Sequence, residues 1–359
     1  MDGFLGRLRA RVFFGVLWLK FQKPLLVLIT LTFISVCTHQ CARRPFPGHT
    51  RHGGFAAKKS ARERLIPAPG FFLDWRKRFL EVAKPLDGDG LVRGIFLGED
   101  EFIPETIRES FKEAGLYHLL AASGFNCWIV AQGFIWLARL WLAALWFRLP
   151  STVALTARKY TAPVAAFFGA WCFFFWSDQS PPIQRAAVMV TTKCVLQAMG
   201  IQASFSRLLF VHYLGFLLFF PRLWSNASFQ LTFGCLFGMI AVQVLTEPLR
   251  ERLGATRSHP VRRFFFESCR ASFGAALGAL PTTWFVFGEV NFTGVLTNFV
   301  AIPLTSMFLM PAALCAMLTV PVSETAAGFF LQIAVFFAKA LARLLEFFQS
   351  SGISLRYED

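Results

Sequence analysis

Residues 229–246 read FQLTFGCLFGMIAVQVLT, eighteen positions without one charged side chain. A helix rises about 1.5 Å per residue, so such a run nearly crosses the roughly 30 Å hydrocarbon core of a bilayer. Reading it as a membrane span decides the fold class. Runs of the same kind recur at 126–148, 162–176, 183–200, 206–224, 271–288, 294–320 and 325–348, and an earlier one extends from Leu25 to Cys37. Together they are nine candidate segments, and the expected architecture is an all-α, polytopic membrane helix bundle. The 162–176 run is short. Pro303 and Pro311 interrupt 294–320, so a broken or re-entrant piece is expected there, of the kind tolerated only where it packs in protein or lines a cavity.

Composition points the same way. Of 359 residues, 55% are hydrophobic, 16% are charged and 44 are Phe, more apolar surface than a soluble globular chain can hide. The charges cluster between the apolar runs, which excludes a soluble domain of ordinary size. The net charge of +15 attracts polyanions, whether nucleic acid or acidic lipid headgroups, although part of it is the ordinary inward bias of positive charge in membrane proteins.

The eight cysteines (Cys37, Cys41, Cys127, Cys172, Cys194, Cys235, Cys269, Cys315) are scattered along the segments as small hydrophobes and make no disulfide or zinc framework. Cys37, His39 and Cys41 fall short of the four ligands of structural zinc. Neither a metal nor a cofactor is expected.

Three regions follow. Residues 1–38 read as a cytoplasmic tail and membrane anchor, with Arg7, Arg9, Arg11, Lys20 and Lys23 ahead of the apolar run and no small-residue cleavage site after it. Residues 39–93 are a basic, hydrophilic, loosely structured outer segment, with seven basic residues against Glu63 in 40–64. Residues 94–359 form the transmembrane domain. Within it PETIRESFKEAGL (104–116) reads as a short surface helix, with Pro104 at its first position, Glu105 and Glu109 toward its N-terminal end and Gly115 as its stop. The loop 247–270, with Arg250, Arg252, Arg257, Arg262, Arg263 and Arg270, belongs in the cytoplasm. The N-terminus and residues 149–161 then fall inside, while 39–117 and 177–183 fall outside, which sets the basic stretch 40–64 against the usual bias.

Charges within spans carry the first functional expectation. Arg139 and Lys193 have no acidic mate in their own segments, and a buried cation without one must face water, a headgroup or an anionic passenger. Snorkelling to the interface is the plain alternative, harder for Lys193 than for Arg139. Arg185 starts the same helix about 12 Å above Lys193, so an entering polyanion would meet the two in turn.

HLLAASGFN (118–126) reads as close packing through its small residues. Ser123 as a nucleophile with His118 as its base is disfavoured: on one helix they lie about 140° apart, and no carboxylate orients the imidazole. No catalytic residue is expected. A GxxxxGK[ST] phosphate loop, an HxHxDH cluster and an HExxH cluster are all missing from the sequence, and the six histidines (His39, His49, His52, His118, His212, His259) are dispersed.

FKEAGLYHLLAASGF (111–125) resembles the signature of the ComEC competence family, in which an amphipathic helix runs into His-Leu-Leu-Ala-x-Ser-Gly. Three further stretches resemble family segments in order: SPPIQRAAVM (180–189), SFQLTF (228–233) and LPTTWFVFGEVNFTGVLTNFVAIPL (280–304). The likeness implies an inner-membrane bundle, N-terminus cytoplasmic, that carries single-stranded DNA into the cell during natural transformation. Such a strand needs cations and aromatic faces, and both abound here. His118, Ser123, Gly124, Gln184, Arg185, Gln230 and Asn298 take motif positions implied to line the channel, and Asn126 and Lys193 join them on the DNA path. Pro182, Pro281 and Pro303 are structural motif positions. Implied partners are single-stranded DNA, membrane lipids, a separate nuclease, and a cytoplasmic DNA motor or single-strand-binding proteins.

Two departures stand out. Phe125-Asn126 replaces the family's Leu-His, which takes away any histidine role there. The outer stretch is short for the family's OB-like domain and no metallo-β-lactamase-like nuclease follows, so a channel-only member is expected. The alternatives are a transporter of a small anion or lipid, and an intramembrane hydrolase.

Overall fold

The computed structural model describes residues 68–86, 88–120, 123–145, 151–177, 179–252, 260–287, 289–350 and 356–358. The expected anchor at 25–37, the basic stretch 40–64 and the pair Cys37/Cys41 lie outside the described residues. The chain is an all-α helix bundle, to which a ribbon of two three-residue strands, Glu289–Asn291 (β1) and Arg356–Glu358 (β2), is added. Its described residues divide into two compact units, a larger one within 68–221 and 296–356 and a smaller one within 222–295 and 357–358.

Among the described residues, four helices are long and apolar enough to cross a membrane, by length and composition: Gly124–Leu145, Ala227–Leu245, Thr293–Thr319 and Glu324–Phe347. Tyr160–Trp176 and Phe205–Phe219 are shorter apolar helices.

In the larger unit the described chain starts with α1 (Gly70–Ala83), then α2 (Asp89–Val92), which runs into a π turn at Arg93–Leu97. Helix α1 buries Trp75, Phe79 and Ala83 on one face. The described end of the hydrophilic stretch 39–93 is thus packed helix rather than loose chain, because its aromatic residues recur at helical spacing between the charges. The surface helix forms as α3 (Glu105–Glu113), but Pro104 is its cap, in an extended conformation, rather than its first residue. Gly115 stops it at φ 70, a left-handed conformation that costs glycine nothing, and Leu116 N–H donates to Phe111 O at 2.8 Å.

Next come α4 (Gly124–Leu145), α5 (Ser151–Trp176), α6 (Pro181–Ala198) and α7 (Phe205–Phe219). The short 162–176 run proves to be the end of the 26-residue α5. Rings fill the space where α1 and the π turn dock on the end of α5: Phe79 and Trp176 centroids are 4.8 Å apart, Phe96 and Phe173 5.5 Å, Phe96 and Trp176 5.6 Å.

The expected re-entrant piece is not there. Helix α11 (Thr293–Pro303), a π turn at Leu304–Leu309 and α12 (Met310–Thr319) run on as one helix. Proline removes an N–H from the ladder, and hydroxyls take up the neighbouring carbonyls: Thr305 Oγ1 donates to Ala301 O at 2.7 Å and Ser306 Oγ to Ile302 O at 2.6 Å. Helix α13 (Glu324–Ser350) lays Ala327, Leu331, Ala334, Ala338, Leu341 and Leu345 on the interior at alternating steps of four and three, with Phe329, Phe336 and Phe347 facing outward.

The smaller unit pairs α8 (Ala227–Leu245) with α10 (Pro260–Thr282), joined through the short α9 (Glu247–Arg252). Helix α10 begins before the predicted 271 because its charged first turns lengthen the helix without adding to its apolar run. Gly234 and Gly238 face Gly274 and Gly278, and a Cβ on Gly278 would overlap the carbonyl of Gly234. Two Gly-x-x-x-Gly pairs thus bring the backbones into contact, as small residues do between membrane helices. At one end of this seam Arg270, 6% exposed, donates to Glu247 and Glu267 at 3.1 Å each and to Thr246 Oγ1 at 2.8 Å. Arg250 pairs with the same two carboxylates. Glu247 is partly desolvated, which works the other way, but hydrogen bonds from Arg270 and Arg250 hold its carboxyl below the usual carboxylate range. Two of the six arginines counted in loop 247–270 are therefore neutralised within the protein.

Candidate functional site

Ser123 stands just ahead of α4 and caps it. Its Oγ accepts from Asn126 N–H at 3.4 Å and donates to Asn126 Oδ1 at 3.1 Å. Asn126 is buried and donates through Nδ2 to Ile95 O in the first π turn at 2.8 Å. Asn126 thus ties α4 to the layer of helices before it.

The start of α4 lies against the start of α6. A Cβ on Gly124 would stand 3.3 Å from Ala186 Cβ and 3.7 Å from Pro182 O, so glycine lets the two helix ends close up. The first two motif segments, distant in sequence, converge here. Pro182 is the second residue of α6, Gln184 is half-buried beside it, and Arg185 is 5% exposed. Among the described residues of the larger unit, the buried charged side chains are Arg185 and Glu99.

Lys193 does not share that burial. Eight residues at about 100° each carry it about 80° around the helix from Arg185, and its side chain is exposed, as is that of Arg139. Of the expected line of two cations, Arg185 is buried and Lys193 is exposed. His118 is exposed on a 3-10 turn, Tyr117–Leu119, outside α4. It is therefore not one helix with Ser123, whose hydroxyl is engaged with Asn126.

The other motif residues sit elsewhere. Asn298 is half-buried on α11, its Oδ1 enclosed without a hydrogen-bond partner, next to Thr297, which donates to Ala114 O at 2.8 Å. In the smaller unit Gln230 is buried and donates through Nε2 to Trp224 O at 2.8 Å. Pro281 and Pro303 both lie just ahead of a π turn, at Thr283–Phe287 and Leu304–Leu309 respectively.

Two polar constellations went unread in the sequence. Glu99 is buried between Arg76 and Arg93; Arg93 donates to it at 2.7 and 2.9 Å and lies 3.5 Å over the ring of Phe102. Within the bundle Trp171 Nε1 donates to Thr191 at 2.8 Å, and His212, buried, contacts Thr192 at 3.0 Å and Leu208 O at 2.7 Å. Adjacent threonines inside an apolar run were the available signal for the second; nothing periodic joins Arg76, Arg93 and Glu99. Among the described residues no group of three His, Cys, Asp or Glu is placed to hold a metal.

Apolar helices of spanning length, with polar motif residues gathered where two helix ends meet, define an all-α membrane protein. The family described as competence protein matches residues 95–357, and the chain belongs to that family. It is 21% identical over 247 residues to ComE operon protein 3 of Bacillus subtilis (69% of this chain, 28% of the relative). It is 24% identical over 286 residues to Recombination protein 2 of Haemophilus influenzae (78% and 34%), and 26% over 229 residues to Competence protein ComA of Neisseria gonorrhoeae (64% and 30%). The chain thus spans about a third of the length of these relatives. No solved structure matches it.

Proposed function

We propose that this chain is a membrane domain through which a single DNA strand passes into the cytoplasm during natural transformation. It lies in the inner membrane with its N-terminus cytoplasmic, and it passes the strand without breaking bonds, leaving cleavage and pulling to a separate nuclease and a cytoplasmic motor. Family membership supports a role in competence. The observation that carries the reading further is Arg185, buried where the motif-bearing starts of α4 and α6 meet. A guanidinium keeps its charge in such a place and offers a planar fork of donors matched to phosphate oxygens.

The test is uptake of labelled DNA into the cytoplasm by cells carrying Arg185→Ala or Arg185→Lys, with the amount of protein in the membrane measured alongside. Uptake is expected to fall at least tenfold for Ala at unchanged abundance, since a hydrogen bond to a charged group contributes about 1.5–3 kcal/mol. Normal uptake by Arg185→Ala would sink the reading. If deleting the whole chain leaves transformation intact, transport of a small anion or lipid becomes the better account.

A further inference from the structure

The glycine seam of the smaller unit ends, away from Arg270, in oxygens that find no mate. Gly278 packs against Gly234 and Gly238, and Gly238 against Gly274 and Gly278, so α8 and α10 run antiparallel in a fixed register. One turn beyond Gly234 on α8 is Gln230; one turn beyond Gly278 on α10 is Thr282. Positions four apart share a helix face, and in antiparallel helices both steps lead the same way. The two side chains therefore enter the seam at one level, about 6 Å past the last glycine contact. Their burial agrees: Gln230 is 6% exposed and Thr282 0%.

Each carries a buried oxygen without a hydrogen-bond partner, Gln230 Oε1 and Thr282 Oγ1. Turning the amide over does not cure this, because its Nε2 donates to Trp224 O at 2.8 Å and a flip would set carbonyl against carbonyl. Thr282 also differs from Thr232, Thr246 and Thr283 of the same unit. Their hydroxyls donate back to Ser228 O, Val242 O and Leu280 O at 2.8, 2.6 and 3.1 Å. Beside Thr282, Pro281 has no N–H to offer the carbonyl of Leu277 four residues back, and α10 gives way to the π turn at Thr283–Phe287. Within a span no bulk water meets such oxygens, so something else must.

An amide oxygen and a hydroxyl at a break in a membrane helix are hard, neutral ligands, the kind that take a cation where a helix ladder is interrupted. An anion is poorly served, since the one unused donor is a hydroxyl hydrogen. A divalent ion calls for carboxylates, and Gln230 and Thr282 supply none. We propose that Gln230 Oε1 and Thr282 Oγ1 bind an alkali-metal cation that bridges α8 and α10 at the Pro281 break, its other positions taken by water and by carbonyl oxygen that the proline leaves off the ladder. The site is independent of the DNA-channel reading, which stands on Arg185 in the other unit.

The full chain in lipid nanodiscs is melted in sodium, potassium and lithium chloride and in choline chloride of the same ionic strength, choline being too large to enter. Wild type is expected to melt about 3–5 °C higher in at least one alkali salt than in choline. Thr282→Val keeps the side chain's shape and removes its oxygen. It should lose that shift yet melt in choline no lower than wild type, because an unmet buried hydroxyl is gone. Thr282→Ser keeps the oxygen and should keep the shift. Gln230→Glu places a charged oxygen at the site and should enlarge it.

Equal melting of wild type in all four salts overturns the proposal and leaves the two oxygens to water. A shift that Thr282→Val retains in full also overturns it, since the salt then acts elsewhere on the protein or its lipid. Neither result touches DNA uptake, so the channel reading survives both.

Discussion

The two units solve helix packing by opposite means. In the smaller one α8 and α10 touch through Gly234, Gly238, Gly274 and Gly278, backbone on backbone. In the larger one α1, the π turn and α5 are held apart and filled by Phe79, Phe96, Phe173 and Trp176. Apolar side chains gain little from one another in lipid, so close backbone approach suits a helix pair with lipid on its outer faces. Rings gain most where water would otherwise reach them, which suits the layer of α1 and its neighbours. The contrast shows where each unit can yield: a glycine seam has no side chain to move, whereas a ring cluster can lose volume and relax.

Gly278→Leu breaks the seam and carries the largest expected effect. Its Cβ would overlap the Gly234 carbonyl, which cannot rotate away. Side chains that can shift absorb overpacking at about 1–3 kcal/mol, but a backbone carbonyl in a helix cannot, so here the two helices are forced apart and the seam is lost rather than strained. Loss of monodisperse protein in detergent is expected, and a Gly278→Leu protein that purifies and melts like wild type would show that the seam does not hold the unit.

Phe79→Ala empties the larger unit's ring cluster instead. The expected cost is about 3–5 kcal/mol, read as a lower melting temperature of protein that still accumulates in the membrane. The partner rings can collapse into part of the space, so the effect stays below that of the seam. If Phe79→Ala proves the more damaging of the two, the contrast between the units is inverted.

Much of this was legible beforehand. Each apolar run after residue 118 falls on a helix, because spanning length and freedom from charge are local properties of the chain. The surface helix and its Gly115 stop were legible for the same reason. What escaped depended on distance. Arg76 and Arg93 reach Glu99 across 23 and 6 residues with no repeat to link them. The glycines at 234/238 and 274/278 did form two four-residue repeats, and read as such they would have shown the seam. Of the site, the convergence of 118–126 with 180–189 could come only from coordinates. Arg185 and Lys193 lie about 80° apart around one helix, a spacing that leaves their burial open, and the coordinates show one buried and the other exposed.

Acidification probes the end of the seam in the smaller unit. The Glu247 carboxyl is held below its ordinary range by Arg270 and Arg250, so its contribution is present at neutral pH and lost as pH falls through the lowered value. Melting temperature should therefore drop on acidification in wild type, and less in Glu247→Gln. Identical pH dependence in the two proteins would remove this cluster as a stabiliser of the glycine seam.

The smallest effect expected is at the α4 cap, where the larger unit's ring-filled layer meets its motif residues. Ser123→Ala deletes one capping hydroxyl and should cost about 1 kcal/mol, with DNA uptake retained at matched protein abundance. Asn126 would keep its bond to Ile95 O, so α4 stays anchored while only its first turn loosens. Abolished uptake with an unchanged melting temperature would mean that the hydroxyl does chemistry after all, and the hydrolase reading of Ser123 would return with an acid or base other than His118 to be found.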